Sequence, residues 1–119
     1  MRTVTIKREK NFLGKWLDYY VVADIPQNEL VEYTGVKKYA LGFAEGLVKS
    51  SREIFIVKNA EIIRFDLPES TKFLYAVYFD SSGIRFGEEF KLDSGAGDLN
   101  LSLKTKVGLS SNKLIFSKR

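Results

Sequence analysis

The side chains of this chain that could do chemistry are carboxylates, lysines, tyrosines and hydroxyls, because its 119 residues include neither histidine nor cysteine. That absence excludes Ser-His-Asp and Cys-His triads, zinc sites built on imidazole or thiolate ligands, and disulfide or thiol redox chemistry. Catalysis would therefore have to depend on carboxylates that face each other across a cleft.

No carboxylate pair is selected by its spacing. Glu88 and Glu89 are adjacent, so on a strand they point to opposite faces and cannot act together. The other candidates are scattered along the chain: Asp18, Asp24, Asp66 and Asp80. We therefore predict a non-enzymatic protein with no catalytic residue, no cofactor and no metal site, and keep a carboxylate-dependent hydrolase as an alternative.

Residues 93–98, Asp-Ser-Gly-Ala-Gly-Asp, form the one segment with the composition of a ligand loop. A calcium loop needs six to eight oxygen ligands, with carboxylates at alternate positions, and here only the two end residues are acidic. A phosphate-binding loop would continue into Gly-Lys-Ser/Thr and a helix, and this segment does not. We predict an ordinary loop between two strands.

Charge is concentrated at the two ends of the chain, although the net charge of +4 is modest. Residues 1–17 carry five basic residues and one acidic residue, and residues 104–119 carry five basic residues and none that is acidic. Residues 18–103 carry nine basic and fourteen acidic residues. Because the termini of one domain often lie close together, the two ends could form one basic surface. The alternative is that these lysines only protect edge strands from aggregation.

The predicted contact residues follow from this charge pattern and from the neighbouring aromatic residues. Trp16 and Tyr20 are predicted to contact the partner. The predicted cationic residues are Arg2, Lys7, Arg8, Lys104, Lys106 and Arg119.

Alternation of polar and apolar residues predicts extended strands along most of the chain. The segment 72–80 is apolar on both faces, which is typical of a central strand covered on both sides. Asp80-Ser-Ser-Gly83 predicts a hairpin, and Gly87-Glu88-Glu89 predicts a bulge in the strand that follows. The other predicted strands are 2–8, 17–25, 53–57, 63–67, 84–92, 99–107 and 113–117.

Residues 26–50 fit two structures. Pro26 at a first helical position and Gly35 beyond the last one would frame a short helix. The apolar positions of 36–48 also recur at helical spacing, but Gly42 and Gly46 inside a helix would each cost about 1 kcal/mol relative to alanine. We predict strand and loop over 26–50, with an α+β fold containing a helix near 36–49 as the alternative.

Short strands at regular spacing predict a single all-β domain over residues 1–119, an antiparallel two-sheet sandwich or an open barrel. The apolar spacing of residues 4–14, the Phe12-Leu-Gly14 motif and Asp24 after a strand resemble small bacterial immunoglobulin-like sandwich domains of unknown function. This resemblance implies a fold and no activity.

The function predicted from these observations is that of a binding module, whose basic terminal face engages an anionic polymer or a protein. The alternative is a barrel of the oligonucleotide-binding type that stacks single-stranded bases on aromatic residues. Edge strands would also allow homo-oligomerisation. No apolar run is long enough to span a membrane, and the N-terminus lacks the apolar core of a signal peptide. We therefore expect a cytoplasmic protein, or a soluble domain of a larger one.

Overall fold

A computed structural model describes residues 1–10, 17–34, 54–80, 83–93, 97–106 and 113–119. They form nine strands and one short helix. The strands are β1 (Arg2–Arg8), β2 (Tyr19–Ala23), β3 (Ile54–Val57), β4 (Ile62–Leu67), β5 (Phe73–Asp80), β6 (Gly83–Phe86), β7 (Phe90–Lys91), β8 (Leu99–Lys106) and β9 (Lys113–Lys118), and the helix α1 (Gln27–Thr34) lies between β2 and β3.

The strands form two sheets, which confirms the predicted all-β architecture. The first sheet has the order β4-β1-β8-β9, and the second has the order β3-β2-β5-β6, with β7 also paired to β5. Neighbouring strands run antiparallel except β1 and β8, which are parallel. The predicted antiparallel sandwich therefore contains one parallel pair, and this pair joins the two ends of the chain.

Two apolar clusters enclose the second sheet from both sides. The larger cluster fills the space between the sheets, where Val4 and Leu101 of the first sheet meet Val21 and Ala76 of the second. The smaller one covers the opposite face of the second sheet and includes Leu30 of α1. The central strand β5 contributes to both clusters, as its two apolar faces predict.

Helix α1 begins directly after Pro26, whose carbonyl accepts the N–H of Leu30 at 3.0 Å. The preference for strand and loop is therefore wrong for residues 27–34, while the framing by Pro26 and Gly35 agrees with the observed helix. The rest of the predicted strand and loop, residues 35–50, and the alternative helix at 36–49 lie outside the described residues. In the described part of the chain, no helix has the length and apolarity needed to cross a membrane.

The bulge predicted at residues 87–89 is present between β6 and β7. Both strands pair with β5, and residues 87–89 lie opposite only residues 75–76. The extra residue redirects the backbone, and the Glu88 N–H donates to the carbonyl of Leu114 in β9 at 2.9 Å. The bulge thereby connects the two sheets.

Candidate functional site

The two basic ends of the chain lie side by side in the first sheet. Strand β1 pairs with β8, and β8 pairs with β9, so the first and last strands are separated by one strand only. The predicted proximity of the termini is confirmed. Charge that is distant in sequence therefore shares one sheet.

Alternation within these strands sends a subset of the cations to the solvent side. Val4, Ile6, Leu101 and Leu103 are fully buried between the sheets, so residues of the other parity point outward. The outward cations are Lys7 on β1, Lys104 and Lys106 on β8 and Lys113 on β9, and Arg119 is exposed just after β9. Lys113 forms an ion pair with Glu88 and is not included in the set named next. We call Lys7, Lys104, Lys106 and Arg119 the basic face.

The register sets the spacing of the basic face. Lys7 lies opposite Ser102, which places Lys104 one strand across and two residues along. With about 4.8 Å between strands and about 3.3 Å per residue, the Cα atoms of Lys7 and Lys104 are about 8 Å apart. Lys104 and Lys106 follow each other on one strand at about 6.6 Å. These three lysines form a row rather than a single pocket, and Arg119 lies apart from them, opposite Asn100 and four residues along β8 from Lys104.

No member of the basic face forms an ion pair with any described residue. Neighbouring lysines do: Lys113 binds Glu88 at 3.2 Å, and Lys118 binds Asp93 at 3.5 Å. Glu9 follows the last residue of β1, and its carboxylate accepts a hydrogen bond from the hydroxyl of Ser102 at 3.2 Å. The basic face thus carries more positive charge than the one carboxylate of Glu9 can neutralise.

Arg8 does not belong to this face, because its side chain is fully buried. Its Nη1 donates to the carbonyl of Leu17 at 2.7 Å and to that of Val57 at 3.0 Å, and its guanidinium carbon lies 3.5 Å from the centroid of the Tyr19 ring. Burial lowers the pKa of Arg8, opposed by the neighbouring Tyr19. The predicted exposure of Arg8 is wrong: the residue links β1 to the opposite sheet.

Arg2 is also buried, at 6% exposure, and it anchors the loop before β8. Its Nη1 donates to the Asp93 carbonyl at 2.9 Å and its Nε to the Gly97 carbonyl at 3.2 Å. Its predicted exposure is therefore wrong as well. These two hydrogen bonds from Arg2 and the ion pair between Asp93 and Lys118 favour an ordinary loop at residues 93–98. Residues 94–96 of this loop lie outside the described residues.

The predicted aromatic contact Tyr20 is not on this surface either. Tyr20 is 5% exposed and belongs to the cluster on the far side of the second sheet, where its ring meets Phe79 edge-on at 5.6 Å. Trp16 lies outside the described residues. Within β1, β8 and β9 the one aromatic residue is Phe116, which is buried in the core between the sheets.

Shallow depressions mark the two ends of the outer side of the first sheet. At the end near Lys104, one of about 380 Å³ is lined by Glu9, Lys10, Lys104 and Thr105. At the other end, one of about 440 Å³ is lined by Thr3, Thr5, Arg64, Phe65, Asp66, Asp98 and Asn100. Both depressions carry charge of each sign, because Arg64 lies with Asp66 and Asp98 at one end and Glu9 with Lys10 and Lys104 at the other.

Two of the candidate carboxylates, Asp24 and Asp66, have structural partners. One oxygen of Asp24 accepts the N–H groups of Lys72 and Phe73 at 2.7 and 3.2 Å, and Asp66 accepts the hydroxyl of Thr3 at 2.8 Å. Among the residues with a described position, no group of three acidic side chains is arranged to hold a metal ion.

Comparison with known proteins gives no relative: no family model matches the chain, and no curated protein or solved structure matches it. The resemblance to immunoglobulin-like sandwich domains stays a prediction.

Proposed function

We propose that the protein is a non-enzymatic binding module whose basic face, Lys7, Lys104, Lys106 and Arg119, engages an anionic polymer. The observation that carries this proposal is that four cations from both ends of the chain share the solvent side of three adjacent strands and have no ion pair with any described residue. Flexible lysines in a row suit a repeating negative charge better than one small anion.

The aromatic content of the site favours recognition of charge over recognition of bases. Stacking proteins present exposed aromatic rings within a cationic groove. The outward residues of β1 and β8 are lysine, threonine, asparagine and serine, and Tyr20 is buried. Binding through the basic face would therefore depend strongly on salt and little on base identity.

The test compares two polyanions of similar charge, linear polyphosphate and a single-stranded oligothymidylate of about 20 nucleotides, over a series of salt concentrations. We expect both to bind at low ionic strength. Replacing Lys7, Lys104 and Lys106 together by glutamine should lower the slope of log K against log salt by about 2 for the oligonucleotide, since each phosphate contact contributes about 0.7.

A matched control replaces three exposed lysines of the other sheet and its connections, Lys58, Lys72 and Lys91, by glutamine. The change in net charge is identical, so a general loss of positive charge would weaken binding equally in both variants. Equal weakening, or no binding of either polymer at low salt, would contradict the proposal. Binding of the oligonucleotide alone would instead support the alternative single-strand binder.

A further inference from the structure

Among the described strands, β4 lies at an edge of the first sheet. Its described strand partner is β1, on one side only. The Arg8 N–H donates to the Glu61 carbonyl at 3.0 Å, which identifies that pair as hydrogen-bonded. Because hydrogen-bonded pairs alternate in an antiparallel ladder, residues 63, 65 and 67 also direct their backbone groups toward β1. The N–H and C=O groups of Ile62, Arg64 and Asp66 then point away from the sheet.

The side chains of this edge complement themselves. In an antiparallel pairing of β4 with a second copy, centred on Phe65, Arg64 lies opposite Asp66 of the second copy, and the same pair recurs across the two-fold axis. Ile63 lies opposite Leu67 of the second copy. Each exposed charge is therefore matched by its opposite, and each inward apolar residue by another apolar residue.

Charge also selects this register over its neighbours. Shifting the register by two residues would keep the outward side chains of both copies on the same side. It would, however, place Arg64 opposite Arg64 of the second copy, or Asp66 opposite Asp66. Like charges directly opposite one another destabilise a strand pair. Charged residues usually protect a sheet edge from pairing. Here they would block other partners and other registers while allowing this one.

Two further features of β4 support the same pairing. Ile62 is 57% exposed, whereas the other strand residues that are large and hydrophobic are buried or half-buried in the described structure. In the proposed register, Ile62 lies opposite Pro68 of the second copy. Arg64 forms no hydrogen bond or ion pair with the described residues, so its guanidinium is available to a carboxylate across the interface.

We propose that the protein forms a two-fold dimer through antiparallel pairing of β4 with β4 of a second copy, centred on Phe65. The two four-stranded sheets would join edge to edge. Four backbone hydrogen bonds would link residues 64 and 66 of the two copies. Both basic faces would then lie on the same side of the joined sheet, although the dimer does not depend on their function.

Sedimentation over a range of protein concentrations tests this pairing by charge exchange. Arg64→Asp and Asp66→Arg should each raise the dimer dissociation constant about tenfold or more, because each places like charges opposite one another twice. The double variant, carrying both substitutions, restores opposite charges and should recover dimerisation. Lys91→Asp, an exposed charge reversal on β7, is the control and should leave the dissociation constant unchanged.

Amide hydrogen exchange provides a second readout. The amides of residues 64 and 66 should become more protected as the concentration rises, while those of 63 and 65, already directed toward β1, should not. A protein that stays monomeric at millimolar concentration and low salt would overturn the proposal. A dimer that both single variants leave intact would also overturn it. The same holds if the double variant fails to restore dimerisation although circular dichroism shows that all three variants are folded.

Discussion

Replacing the buried Arg8 by methionine is the sharpest test of how this fold holds its two sheets together. Methionine keeps much of the length and apolar stem of arginine but removes the charge and the donors. The Nη1 bonds to the carbonyls of Leu17 and Val57 would be lost, as would the contact with the ring of Tyr19.

The expected loss follows from the contacts of Arg8. Each carbonyl that loses its charged donor costs about 1–3 kcal/mol, and a desolvated cation–π contact contributes about 2 kcal/mol. Against this, the variant no longer buries a charge, which relieves a penalty of several kcal/mol. We expect a net destabilisation of about 2–4 kcal/mol, or a fall of roughly 10 °C in Tm for a domain of this size.

Urea unfolding followed by far-UV circular dichroism measures this change as a shift of the midpoint at constant m-value. The control is Lys7→Met, the same substitution one residue earlier on the solvent side of β1, which should change the free energy of unfolding by less than about 0.5 kcal/mol. If both variants were as stable as the original chain, Arg8 would not be the link between the sheets that its hydrogen bonds indicate.

Two other predictions concern the bulge and the buried phenol. Gly87→Ala should destabilise the fold by about 1–3 kcal/mol in thermal unfolding, because a Cβ there would lie 2.7 Å from the carbonyl oxygen of Leu114. The control Gly97→Ala should be neutral, because a Cβ at that position would have no atom within 4 Å. Burial raises the pKa of Tyr75 above its ordinary value of 10.0, and its hydroxyl donates to the carbonyl of Ile25. As the pH rises, the unfolded chain therefore loses this proton before the folded chain does. The free energy of unfolding should be unaffected below pH 10 and should fall above it, by up to about 1.4 kcal/mol per pH unit. In alkaline unfolding curves, Tyr75→Phe should show a shallower fall.

The strands could be predicted from sequence because a half-buried ribbon imposes a period of two on its residues. The same period also indicates which charged residues of β1 are buried. Arg2 and Arg8 have the parity of Val4 and Ile6, so alternation alone places them inside, while Lys7 has the parity of the two threonines and faces solvent. Two of the five basic residues at the N-terminal end, Arg2 and Arg8, are therefore interior anchors and not part of the surface.

Other features depend on contacts that no local pattern contains. The burial of Tyr20 depends on the cluster that packs with Leu30 against the far face of the second sheet, and a strand sequence cannot show whether such a cover exists. The parallel pairing of β1 with β8 joins segments at opposite ends of the chain. For helix α1, Pro26 and Gly35 gave the correct local indication, but the glycines at 42 and 46 influenced the prediction for the whole segment.

The arrangement of charge in the first sheet is itself an argument for a partner. Placing both basic ends in one sheet costs electrostatic free energy, and Lys106 lies directly opposite Lys113 on the neighbouring strand. The fold offsets part of this cost, since Glu88 binds Lys113 and Asp93 binds Lys118. At the basic face the carboxylate of Glu9 accepts a hydrogen bond from Ser102, opposite Lys7, and the four cations have no ion pair in the described structure. Local violations of a stabilising rule are expected at functional sites, so this excess of positive charge agrees with the anionic partner that we propose.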